Sequence, residues 1–205
     1  MHYYNNNKKI FFFIILFLFF LNKKLIAIEK FEIIATVNND AITHIDLLNE
    51  IEIIKLINSG KNLNNQNLKN IAIKTLIDEK IKLQEIIKEK ITLENKILDN
   101  FLNQYLLENK ISNNISNSKK IIIKEKILIT TNWNNLIYKK YSWKISINMN
   151  EIDQKILNAR KTIDDENKIN DLKENLIRIE KNKKIQVYSN YHLNKIKNNS
   201  YIKIY

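Results

Sequence analysis

The alternation of apolar and polar positions divides the chain into a leader, a short extended start and a succession of helices. Ile10 to Leu21 is an unbroken run of twelve apolar residues behind the pair Lys8-Lys9. Further on, "FEIIATV" (Phe31 to Val37) is apolar and β-branched, Asn38-Asn39-Asp40 tolerates positive φ, and "AIT" follows. This is a hairpin signal. Thr43-His44-Ile45-Asp46 predicts a helix start, with Thr43 as cap and Asp46 favoured near the positive helix end. Leu47, Leu48, Ile51 and Ile54 give that helix one apolar face, and Asn58-Ser59-Gly60 ends it, Gly60 being free to turn left-handed.

A second helix is predicted over about Leu68 to Lys90, with Ala72, Ile73, Leu76, Ile77, Leu83 and Ile87 on a broad stripe suited to a central packing position. A third spans Leu93 to Asn109, with Ile97, Leu98, Phe101, Leu102 and Tyr105 to bury, and "SNNISNSKK" is a loop. A fourth, about Ile121 to Tyr138, carries Ile123, Ile127, Trp133 and Ile137 at spacings that share one face. "YSWKISIN" alternates as an extended segment does, and Asn148 to Glu151 resembles a capped start. From Glu151 to about Lys184 the charged arm, with Ile152, Ile156, Ile163, Ile169, Leu172, Leu176 and Ile179 as its apolar positions, is one long helix or two broken near Asp164-Asp165. A last helical turn or two, a polar turn at Asn198-Asn199 and an alternating strand, Tyr201 to Tyr205, complete the pattern. A five-residue strand is unstable alone, so this one requires a partner. The fold class expected from the pattern is mainly α, with an N-terminal hairpin and a C-terminal strand as its β segments.

Composition changes the picture in two places. The formal charge is +12, but outside the first 27 residues 30 basic and 22 acidic residues leave +8, and they alternate along helices as in "DEKIKLQEIIKEK". Pairs such as Asp78/Lys82 describe solvated helix faces rather than a phosphate-binding groove, so no nucleic-acid partner is expected. The absence of cysteine excludes a disulfide framework, a thiolate metal site and a cysteine nucleophile. His2, His44 and His192 share no ligand or triad spacing, and His44 reads as an exposed residue of a first helical turn. No metal, no cofactor and no catalytic residue is therefore assigned.

The twelve-residue apolar run falls in the range of roughly 7–15 for a secretory signal and short of the roughly 20 of a membrane span. Residues 1–27 are read as a signal peptide with Ala27 as its last residue. An uncleaved anchor reaching Ile28 is the alternative, with the membrane touched only through that leader.

"ATVNNDAITHIDLLNEI", "LIDEKIKLQE", the helix ending "WNNLIYKKY" before "NEIDQKI", and the final "HLNKIKNNSYIKIY" occur in this order over most of the chain. Together they resemble the SurA family of periplasmic chaperones. The resemblance implies a helical core over residues 28–150, completed by an arm and strand over 151–205, with a small β element made of the N-terminal hairpin and the C-terminal strand, and a periplasmic location. It also implies an inserted parvulin-type prolyl isomerase domain with glycine-rich loops and paired histidines. Residues 151–205 contain no glycine and one histidine, His192, so that module is missing.

The function expected is a holdase for unfolded outer-membrane or periplasmic proteins, aiding their folding without an isomerase domain of its own. The alternatives are residual isomerase activity and a membrane-anchored helical scaffold. Eight of the eleven aromatic residues beyond position 27 lie at or after Trp133. Trp133, Tyr138, Tyr141 and Trp143 are the candidate client-binding residues, with core filling by Trp133 and Tyr138 as the competing reading.

Overall fold

The computed structural model describes residues 32–58, 64–91 and 98–205. The leader, Phe31, Gly60 and Ile97 lie outside the described residues. The fold is mainly helical with a small three-stranded antiparallel sheet, as expected. In chain order the elements are β1 (Ile33–Val37), β2 (Asp40–Thr43), α1 (His44–Ile57), α2 (Asn65–Lys88), α3 (Leu98–Glu108), α4 (Asn117–Tyr141), α5 (Met149–Ala159), α6 (Glu166–Lys197) and β3 (Ile202–Ile204).

The hairpin turns at Asn38, whose φ of 54° an asparagine tolerates better than most residues. Gln84 of α2 holds the turn from below: its Nε2 donates to Val37 O (3.1 Å) and to Asp40 Oδ2 (2.8 Å), and its Oε1 accepts from Asn38 Nδ2 (2.7 Å). Thr43 then caps α1 in a reciprocal box, accepting from Asp46 N at 3.3 Å while its own N–H donates to Asp46 Oδ2 at 2.8 Å.

The strand order is β2-β1-β3, so the C-terminal strand lies on the free edge of the hairpin's first strand. The pairing is antiparallel, with Ala35 opposite Ile204, Thr36 opposite Lys203 and Val37 opposite Ile202. Asn38 latches it: its N–H donates to Tyr201 O (2.7 Å) and its Oδ1 accepts from Tyr201 N (2.9 Å). Ile34, Ala35, Val37 and Ile42 bury their side chains in one core with Leu47, Ala72, Ile77 and Ile81, against which Leu193, Ile196 and Ile202 also pack. Residues from both ends of the described chain thus share one apolar cluster.

Two further clusters flank the central helix α2. One joins Ile53 of α1 to Leu102 and Leu106 of α3 and Ile123 and Ile127 of α4. The other joins Ile86 of α2 to Trp133, Leu136 and Ile137 of α4, with Ile185 and Tyr188 of α6 packed on it. Helices α2 and α3 each end in a Schellman motif, Ile91 N donating to Ile86 O and Ile111 N to Leu106 O. The left-handed position is filled by Lys90 (φ 53°) and Lys110 (φ 55°), where glycine is the usual occupant.

The structure amends several expectations. "YSWKISIN" is not an extended strand. Tyr141 closes α4, Ser142–Lys144 form a 3₁₀ turn and residues 145–148 have no regular structure, because Tyr141 is drawn into the α4–α6 contact. The arm is two helices, broken at 160–165, where Asp165 caps α6 by accepting from Asn167 N and Lys168 N. Asn148 precedes α5 without a side-chain capping bond. The last "turn or two" is the end of α6, a single helix of 32 residues.

On α1, Leu48 is exposed while Glu50 and Ile53 are buried, and on α2 Ile87 is exposed. The buried line of α2 follows Ile77, Ile81 and Glu85 at four-residue steps, which carries Ile87 round to solvent. His44 is half-buried rather than exposed. Ile123, Ile127, Trp133 and Ile137 of α4 are all buried, as their spacing predicts, the first two in one cluster and the last two in the other.

Candidate functional site

The four aromatic residues singled out from the sequence do not form one surface. Trp133 is 1% exposed, and its indole Nε1 donates to Ser189 Oγ of α6 at 2.7 Å. Tyr141 is half-buried, stacked on Tyr188 at 5.1 Å between centroids with Tyr191 edge-on at 6.3 Å. Tyr138 is 44% exposed under the Lys181 ammonium, and Trp143 is 76% exposed beside Lys144. Trp133 and Tyr141 therefore bind α4 to α6, whereas Tyr138 and Trp143 are presented to solvent.

Behind Tyr141 is a polar constellation that sequence spacing did not disclose. His192 Nδ1 lies 2.8 Å from the Tyr141 hydroxyl, and His192 Nε2 faces Glu85 Oε1 of α2 at 3.4 Å without forming a hydrogen bond. Lys140 reaches the same carboxylate at 3.3 Å and Glu89 at 2.6 Å. Burial pushes the His192 imidazole below its ordinary pKa, the Lys140 charge adds to this, and Glu85 opposes it. Burial likewise pushes the Tyr141 phenol up. His192 and Glu85 are both buried, so the cluster acts as a polar rivet through three helices.

Among the described residues, one open cleft, of about 420 Å³, lies between α1, α2, α3 and α4, and a shallower one of about 540 Å³ lies beside Leu56, Ile111 and Lys119. The walls of the first are apolar, from Ile53 and Ile57 of α1, Phe101 and Tyr105 of α3, and Ile127 of α4, and Thr75, Gln104 and Thr130 add polar positions. In it lies an ionic triad. Lys126 Nζ is 2.6 and 2.8 Å from the two oxygens of Glu79 and is also ion-paired with Glu50. A smaller cavity of about 140 Å³ opens on the other face of the triad, beside Asp46, Leu76 and Glu125.

Burial raises the Glu50 carboxyl above its ordinary pKa, and the Lys126 hydrogen bond and charge only partly offset this. Burial alone would lower Lys126, but Glu79 and Glu50 outweigh it and hold the ammonium above its usual value. A buried pair of this kind stabilises little by itself, yet removing one partner strands the other charge.

The triad was not read from the sequence because carboxylates and lysines are spread along every helix. Its signal is positional. Glu50 shares the buried stripe of α1 with Leu47, Ile53 and Ile54, and Glu85 follows Ile81 by four on the buried line of α2. A charge in an apolar phase of the helical period marks a site held from inside. His192 was visible only as a lone histidine, and its partners are 107 and 51 residues away at Glu85 and Tyr141. Among the described residues no group of acidic, histidine and cysteine side chains is arranged to hold a metal ion, and no helix is long and apolar enough to cross a membrane.

Compared with known proteins, the chain matches no protein-family model and no curated protein.

Proposed function

We propose that this chain is a holdase chaperone of the SurA type, exported to the periplasm, which shields unfolded outer-membrane or periplasmic proteins and aids their assembly. The reading rests first on the collinear sequence resemblance. The observation that carries it beyond sequence is β3 on the free edge of β1, a core closed from both ends of the described chain. An open, apolar-walled cleft beside that core, and the exposed Trp143, are what a protein that covers apolar segments requires. A holdase lowers the free concentration of an aggregation-prone client and uses no reacting group.

Residual prolyl isomerase activity is the second reading, and its support is the resemblance alone. The histidine in the region expected to follow the missing insert, His192, is packed between Trp133, Tyr141 and Glu85 instead of facing a cleft. The two readings separate in one pair of assays. An unfolded outer-membrane β-barrel protein is diluted from urea with and without the chain while light scattering is followed, and prolyl isomerisation of a model peptide is timed in parallel. Reduced scattering at near-equimolar chain with isomerisation at the buffer rate is the expected result. Unchanged scattering overturns the chaperone reading, and isomerisation above the blank overturns its non-enzymatic half.

A further inference from the structure

The cleft has a charge opposite to that of the molecule around it. The chain carries +12 overall. The larger cavity is lined by Glu50, Glu79 and Glu108 with Lys126 as its one basic residue. The smaller cavity across the triad adds Asp46 and Glu125 and no further base. The two share Glu50, Glu79 and Lys126, so five carboxylates line the two cavities with one ammonium among them, and Lys82 lies close enough behind to interact with Glu79. The Lys126 ammonium is already divided between Glu79 and Glu50. Glu50 is 3% exposed, and its Oε2 is ion-paired with the shared Lys126, its compensating charge. A second cation entering here meets unspent negative charge in a low-dielectric surrounding, where attraction is strongest.

The walls supply the other half of the specificity. Ile53, Phe101, Tyr105 and Ile127 present apolar surface, and a volume of about 420 Å³ suits one or two large side chains rather than a folded partner. We propose that this cleft takes an extended polypeptide segment in which an aromatic or branched aliphatic residue is adjacent to lysine or arginine. The apolar side chain lies against α1, α3 and α4, and the cationic group points toward Glu50 and Glu79. The inference rests on the chaperone reading and names the client sequence that it would select.

The test uses fluorescein-labelled short peptides that differ only in whether a central Phe is flanked by Lys, Ser or Glu, titrated with the full chain by anisotropy. The expected order is Lys tighter than Ser tighter than Glu, with about tenfold or more between the extremes. The difference shrinks as salt rises. The overall charge of +12 acting alone gives the reverse order, so equal binding, or tighter binding of the Glu peptide, overturns the inference. So does failure of all three peptides to bind.

Glu108 is exposed and engaged by Gln104 Nε2 at 2.8 Å, so Glu108→Lys leaves the core intact. It is expected to bring the Lys peptide down to the Ser peptide, whereas Asp164→Lys, the same charge change in the α5–α6 turn, leaves it unchanged. Equal loss in both variants overturns the proposal. The aggregation assay distinguishes the two levels: suppression with the wrong peptide order leaves the chaperone standing and removes this specificity. The right order without suppression does the reverse.

Discussion

Replacing Trp133 by Phe separates a core residue from a client contact. In the structure the indole is 1% exposed, with its ring centroid 5.5 Å from that of His192, and it donates to Ser189 Oγ at 2.7 Å across the α4–α6 seam. Phenylalanine keeps most of the apolar contact but removes the donor. A buried hydroxyl left without its partner costs about 1–3 kcal/mol, and the space vacated by the smaller ring adds about 1 kcal/mol. The expected loss is therefore about 2–4 kcal/mol, a large share of the roughly 5–15 kcal/mol that holds a domain together.

Urea unfolding followed by far-ultraviolet circular dichroism measures this without depending on tryptophan emission, since only Trp143 remains in the variant. Adding Ser189→Ala to Trp133→Phe removes the orphaned hydroxyl, and the double variant should be less destabilised than the sum of the two single changes. Trp143→Phe, at 76% exposure, should stay within about 0.5 kcal/mol of the parent. An unchanged midpoint for Trp133→Phe together with weakened client binding would refute the assignment of Trp133 to the core.

Three further outcomes follow from the geometry. Removing residues 201–205 abolishes the bonds Asn38 N to Tyr201 O, Tyr201 N to Asn38 Oδ1 and Tyr205 N to Ile34 O along with the β1–β3 ladder. At about 1 kcal/mol each, those three alone predict about 3 kcal/mol lost in urea unfolding. Lys110→Gly relieves a side chain held at φ 55° and should gain about 0.5–1 kcal/mol, read as a raised midpoint.

The third outcome is a pH dependence. The folded protein holds His192 below its ordinary pKa, facing Glu85 of α2, Lys140 and Tyr141 of α4 and Lys195 of its own helix. The unfolded chain therefore binds that proton more readily. This contribution to stability is full above about pH 6.5 and is lost as pH falls below it. A His192→Gln variant should show a flatter pH profile over that range, and parallel profiles would show that His192 is not the group responsible.

What the sequence disclosed were features in which neighbours along the chain decide the outcome. The hairpin, the Thr43 cap with Asp46 three residues on, and the buried quartet of α4 are local or periodic, and each formed where its pattern lay. That the C-terminal strand pairs was foreseeable because a strand so short needs a partner, and the hairpin as that partner was implied by the resemblance. Leu48 and Ile87 point to solvent because a composition rich in isoleucine and lysine places apolar residues on exposed faces as well, blurring the stripe. The ionic triad and the His192 rivet depend on which helices meet. Glu79 and Lys126 are 47 residues apart and Glu85 and Lys140 are 55, and nothing in the local pattern joins them.

The β2-β1-β3 order also bears on when the molecule becomes whole. Thr36 and Lys203 face each other across the sheet although 167 positions separate them (203 − 36). The entropy of closing so long a loop grows only with the logarithm of its length, so the equilibrium cost is modest, but contacts this remote form slowly. As the chain is made from its amino end, β1 pairs with β2 at once and then keeps its other edge open until all six helices described here exist. Throughout that interval the segment "IIATV" is a β-branched strand with unpaired backbone groups, the kind of edge to which other strands add. Docking of β3 is thus the step that ends the molecule's own exposure to aggregation.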